Sequence, residues 1–113
     1  MNDVVKIKLS EFLGTPYCVA TEDGQKIYAE LHRLIINKQQ VRLSFEGVTR
    51  VTTAFLNAAI GQLYGEHSDA DIKRQVRIEE VAPSVEPRLA SVISNSKKFF
   101  EEGHRPSNTL SEQ

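Results

Sequence analysis

Apolar positions along the chain switch between two periods, and the switches outline the elements. In "VVKIKL" (Val4 to Leu9), Val5, Ile7 and Leu9 alternate with Lys6 and Lys8. A period of two is that of a half-exposed strand. "YCVAT" (Tyr17 to Thr21), after Gly14 and Pro16, reads as a short second strand, and "EDG" after it as a turn with Asp23 as cap or turn residue. From Ile27 the period becomes helical: Ile27, Leu31, Leu34 and Ile35 fall on one face, and Asn37 is the expected stop. "VRLSF" (Val41 to Phe45) alternates again, Gly47 breaks it, and "VTRV" is either its continuation or a loop. A second helix is predicted from Thr53 to Tyr64, with Phe55, Leu56, Ala59, Ile60 and Leu63 as its apolar side and Gly65 as its stop.

"GEHSDAD" reads as a loop or a short helical turn, and "QVRIEEV" (Gln75 to Val81) as a strand. In the last helix Val85, Leu89, Val92, Ile93, Ser96, Phe99 and Phe100 form one stripe. Ser84 is its candidate cap, Pro87 suits its first turn, and Gly103 ends it. The order strand, short strand, helix, strand, helix, strand, helix predicts an α/β layered fold. We expect a mixed or mostly parallel sheet of about four strands with three main helices; an antiparallel first hairpin stays open as an alternative. Residues 1–102 form one domain in this reading, and the polar residues 103–113 a flexible C-terminal tail.

Composition narrows the function classes. A chain of 113 residues with 40% hydrophobic and 26% charged residues is ordinary for one globular domain. Its net charge of −1 argues against a general nucleic-acid binder, so DNA binding through the basic ends ranks last. The single cysteine, Cys18, cannot form an internal disulfide and reads as a buried thiol of a reducing compartment. No signal-peptide pattern and no apolar run near the ~20 residues of a membrane span is present. The expected location is cytoplasmic, with no membrane partner.

Catalytic and metal motifs do not emerge. The sequence has no Walker loop, no GxGxxG, no HExxH and no GxSxG. His67 with Asp69 and Asp71 reads as a solvated loop rather than a metal site, and no metal or cofactor is expected. Glu79 and Glu80 fall on opposite faces of a strand and cannot pair as acid and base. Lys97 and Lys98 complement the dipole at a helix end. Lys73, Arg74 and Arg77 are offset by nearby acids. We therefore expect a protein that is not an enzyme. The remaining candidate is Thr52-Thr53, two hydroxyls where a strand gives way to a helix thinned by Ala58, Ala59 and Gly61. A Thr there caps the helix, and the same position can display a hydroxyl or an anion site to a partner.

"VRLSFEGVTRVTTAFLNAAIGQLYG" (Val41 to Gly65) resembles the central strand, loop and helix of STAS domains, the fold of bacterial anti-sigma-factor antagonists. It is most similar to small bacterial STAS-like proteins of uncharacterised function, through Phe45-Glu46-Gly47-Val48, Thr52-Thr53, Phe55-Leu56-Asn57 and Gly61-Gln62-Leu63, with "DGQKIYAEL" (Asp23 to Leu31) before them. The resemblance implies a regulatory protein-interaction module in signalling whose partner is a histidine-kinase-like ATPase. It also implies that phosphorylation of Thr53 releases that partner. In the antagonists the acceptor lies in an Asp-Ser-Ser/Thr-Gly phrase; here Thr52 stands for the Asp, Ala54 for the second hydroxyl and Phe55 for the Gly, while Ser44 takes a strand position where they often carry Asp. The site expected for partner binding or phosphorylation is Thr52, Thr53, Phe55 and Asn57. The alternative is a small-molecule or nucleotide ligand at the helix N-terminus of Thr52 and Thr53, and a second copy of the chain stays open as a partner.

Overall fold

The computed structural model describes residues 3–102. The tail expected over residues 103–113, with Gly103, His104 and Arg105, lies outside the described residues. The elements run β1 (Val4–Lys8), α1 (Leu9–Leu13), β2 (Tyr17–Cys18), α2 (Thr21–Ile36), β3 (Gln40–Ser44) and β4 (Arg50–Val51). A composite helix follows, made of α3 (Thr53–Leu56), a π-helical segment (Asn57–Gly61) and α4 (Leu63–Glu66). The chain then forms α5 (Asp69–Gln75), β5 (Val76–Glu79) and α6 (Glu86–Glu101).

This is an α/β fold, and every strand pairing is parallel. The main sheet has order β1-β3-β5, with Val5 opposite Val41 and Val41 opposite Val76. The second predicted strand does not join it. Only Tyr17–Cys18 forms a strand, and it pairs parallel with Arg50–Val51 in a separate two-stranded ladder. No antiparallel first hairpin forms, because α1 turns the chain between β1 and β2 and Gly14 closes that helix at φ 74.

Strand alternation sets the core. Ile7, Leu9, Val41, Leu43, Phe45 and Val76 are buried on the helix-covered face, while Lys6, Gln40, Arg42 and Arg77 are exposed on the other. Parallel sheets usually carry helices on both faces; among the described residues this one leaves a polar face uncovered. Cys18 is buried as expected, and burial first, then the charge of Asp23, pushes its thiol up to about 11. Such a thiol is a poor nucleophile.

Several boundaries differ from the sequence pattern, each for a tertiary reason. "EDG" is not a turn but the first turn of α2, where Glu22 and Asp23 complement the helix dipole. Gly24 sits inside α2, where a Cβ would lie 2.7 Å from the Phe55 carbonyl oxygen and 2.8 Å from the Ala58 Cβ. Gly65 likewise does not stop its helix; it is buried within α4, and the chain turns extended only at His67. The "SDAD" stretch becomes α5 because Ser68 caps it, its Oγ accepting from the Asp71 N–H at 3.0 Å. Gln75 is thereby the end of a helix and not the start of a strand.

β5 stops at Glu79, and Glu80 takes a left-handed φ of 61°. Pro87 lies in the first turn of α6, but Val85 is the N-cap and no side chain caps it, so Ser84 does not serve there. The stripe of α6 is buried at Val85, Leu89, Val92 and Ser96, whereas Phe99 is 50% exposed.

The close approach at Gly24 generates a test. In an open helix Gly→Ala gains about 1 kcal/mol. Here the added methyl meets backbone, and overpacking typically costs about 1–3 kcal/mol. Gly24→Ala is expected to lose about 1–2 kcal/mol net, read as a lower urea midpoint at unchanged slope. A stabilised variant would show that the two helices do not approach so closely.

Candidate functional site

The predicted site lies where β4 hands over to the composite helix. Thr52 is extended (φ −118°, ψ 158°) and is the N-cap. Its Oγ1 accepts from the Phe55 N–H at 3.1 Å and donates to the Val19 carbonyl at 3.0 Å, while its own N–H donates to the Cys18 carbonyl at 3.1 Å. The Thr52 hydroxyl is thus used in both directions, joining the end of the small ladder to the helix. Capping by Thr52 also closes the Phe55 N–H, so a phosphate-bearing ligand at this helix start competes with the cap.

Thr53, one residue on, is exposed, and the Arg88 Nη1 of α6 donates to its Oγ1 at 3.4 Å. Asn57 is exposed at the first residue of the π segment. Phe55 is fully buried. It anchors the helix from beneath and does not reach the surface. Of the four residues, Thr53 and Asn57 therefore share a surface, Thr52 braces it and Phe55 supports it.

That surface is one bank of a groove. A cleft of about 480 Å³ is lined by Thr53 and Asn57 on one side and by Arg88 and Asn95 of α6 on the other. A second cleft of about 300 Å³ shares Asn57 and Asn95 and runs on to Phe99 and Phe100. The two helices meet closely beneath it, since a Cβ on Gly61 would lie 2.6 Å from the Ser96 Oγ. π segments frequently mark functional sites, and the first residue of this one, Asn57, lines both clefts. The α6 bank was missed in the sequence because Arg88 lies 35 residues from Thr53.

Further polar contacts join distant segments. His32 Nδ1 and His67 Nε2 are 2.9 Å apart, with Tyr28 stacked on His32 at 5.4 Å. Asp69 faces Lys73 (3.9 Å) and Lys97 (3.5 Å), and Asp71 pairs with Arg74. His67 is thus turned toward His32 rather than toward its neighbouring acids. Burial first, then the charge of His32, pull its imidazole below the ordinary range, against the pull of Glu66 and Asp71. At the far end of β3, Ser44 is buried, donates to the Glu80 carboxylate, and accepts from the Glu46 N–H at 3.1 Å. Glu80 is held below the usual carboxylate range chiefly by that hydroxyl.

The parallel sheet with its helical layer makes this an α/β domain. The chain belongs to the family of STAS-like domains of unknown function (DUF4325), whose pattern matches residues 23–86, from the first turn of α2 to the start of α6. No curated protein and no solved structure matches it. Among the described residues no helix is long and apolar enough to cross a membrane.

Two measurements check this geometry. Thr52→Ala loses the cap and the brace to Val19 together and is expected to destabilise by about 1–2 kcal/mol. Thr52→Ser should recover most of that loss. The histidine pair gives a pH signature. A folded-state value below the unfolded one means the unfolded chain takes up the proton first, so stability falls as pH drops below about 6.5. Urea midpoints measured down to about pH 5 should decline less steeply in His67→Gln than in the wild type. Equal slopes would remove the pair from the pH response.

Proposed function

We propose that this STAS-like domain is a non-enzymatic regulatory module that binds another protein through the turn and helix from Thr52 to Tyr64. The partner class is a histidine-kinase-like ATPase, and phosphorylation of Thr53 is the release step. The observation that carries the reading is the division of labour between the two adjacent hydroxyls. Thr52 is committed to the fold on both sides, while Thr53 is exposed beside a guanidinium. The partner class comes from the resemblance to anti-sigma-factor antagonists.

In the switch, Thr53 Oγ1 attacks the γ-phosphorus of ATP bound to the partner. An Oγ–P bond forms, the bond to the β-phosphate oxygen breaks, ADP leaves, and the hydroxyl proton passes to a base on the kinase. The product carries nearly two negative charges, placed on the bank of the groove that the partner covers. Arg88 attracts that phosphate toward α6 and so draws it across the groove. No element of the fold needs to move for the surface to change its charge.

The test uses three baits in the native host: wild type, Thr53→Ala and Thr53→Glu. Wild type and Thr53→Ala are expected to recover an ATPase-fold protein, and Thr53→Glu to recover at least about tenfold less. Thr53→Glu should fold within about 0.5 kcal/mol of the wild type, since the site is exposed. Equal recovery by Thr53→Glu would sink the switch, and recovery of no ATPase-fold protein would sink the partner class.

A further inference from the structure

The three main strands begin at a cleft of about 460 Å³ that lies apart from the Thr53 groove. That volume is in the range of small-ligand sites, about 300–1,000 Å³. Four cations line it, Arg42, Lys73, Arg74 and Arg77, and among the described residues no carboxylate does. The chain as a whole carries a net charge of −1, so this concentration is local. Arg42 and Arg77 are direct neighbours in the β3–β5 register, and Lys6 extends the same rung on β1. Like charges opposed across a sheet disfavour the fold.

Three of the four lining cations have a carboxylate partner. Arg42 meets Glu79 at 2.9 Å, Lys73 meets Asp69 at 3.9 Å, and Arg74 meets Asp71. Arg77 is exposed, and among the described residues no carboxylate reaches it.

The same cleft holds an independent anomaly. Gln75, the last residue of α5, is only 9% exposed, and its Oε1 is buried without a hydrogen-bond partner among the described residues. Buried amides are nearly always paired, and each exception calls for a cause. Gln75 and the unpaired Arg77 line the same cleft, the Gln75 Oε1 being enclosed behind its wall. Val4, at 46% exposure, and the buried Val41 and Val76 complete the wall with apolar surface.

We propose that this cleft binds a small phosphate monoester carrying a neighbouring hydroxyl, the chemistry shared by sugar phosphates and nucleoside monophosphates. The phosphate takes Arg77, with Arg42, Lys73 and Arg74 within the same field. The hydroxyl accepts from the Gln75 side-chain N–H, the end of the amide that faces the cleft. The carbon skeleton lies on Val4 and Val76. The C-terminal dipole of α5 opposes an anion with about half a charge, less than the one unpaired guanidinium supplies.

The test is an amide chemical-shift titration of the full chain with inorganic phosphate, ribose, ribose 5-phosphate and adenosine monophosphate. Ribose 5-phosphate is expected to give saturable shifts at Arg42 and at Gln75, Val76 and Arg77, and to bind more tightly than phosphate or ribose. A tighter adenosine monophosphate would name the nucleotide as the source, and an equal or weaker one the sugar phosphate; either order supports the site. Arg77→Gln should weaken ribose 5-phosphate about tenfold.

Gln75→Leu should weaken ribose 5-phosphate roughly fivefold, leave inorganic phosphate unchanged, and raise the melting temperature of the free protein by removing an orphaned amide. No saturable shift with either phosphate ester up to millimolar concentration overturns the proposal. So does binding by both variants that equals the wild type. Thr53→Glu should leave this titration untouched, which separates its outcome from that of the partner switch.

Discussion

The composite helix from Thr53 to Glu66 is squeezed between two others, and the rest of the molecule is arranged around that squeeze. On one side its backbone comes so near α2 that only a glycine fits at position 24; on the other, Gly61 meets Ser96 of α6. Helices with ordinary side chains at the contact pack with axes about 8–10 Å apart. Small residues at the two contacts bring the backbones nearer. The bulky side chains are then forced in one direction, and Phe55, Leu56, Ile60 and Leu63 are all buried. The exposed positions are Thr53, Ala54, Asn57, Gln62 and Glu66, none of them a bulky apolar residue. The wider π turn at Asn57–Gly61 occurs where both contacts converge.

The squeeze also fixes the helix start. Because the helix cannot shift, its first turn must meet the small β2–β4 ladder in one register, and Thr52 makes that junction with three hydrogen bonds. A cap that is also a brace has no freedom to serve as a displayed group. The next residue, Thr53, is exposed instead, and Arg88 of α6 donates to its hydroxyl.

Much of this was readable in the residues, and the limits have physical causes. Period-two alternation located β1, β3 and β5 to within a residue or two, and the apolar stripes located α2 and α6. Failures cluster where a residue with strong local preference answers to a distant partner. Gly24 carries a turn signal, but its real constraint is Phe55, far along the chain. The Thr52 cap was legible because a capping bond spans three residues. The facing groups were not: Thr53 with Arg88, His32 with His67 and Ser44 with Glu80 are each separated by some 35 residues. Spacing carries no trace of such pairs. The cationic cleft was hidden for a related reason. Lys73, Arg74 and Arg77 look neutralised along the chain, and only the strand register brings Arg42 beside them.

The open face of the sheet gives the two regions different mechanical roles. On that face Arg42 pairs with Glu79 and Lys6 with Glu80, so exposed ion pairs replace the second helical layer that parallel sheets usually carry. Exposed pairs contribute little each, about 0–1 kcal/mol, and the face owes its order to the apolar side beneath it. A charge added at the strand starts therefore alters a weakly held polar network with the core unaffected. At the groove the opposite holds: Thr53 stands one residue from a brace that is fully committed, on a helix that cannot slide. Under the proposed role, a phosphate on Thr53 changes what the surface attracts without a conformational step. Whatever docks there responds to charge and shape alone, which is a demand on the partner rather than on this fold.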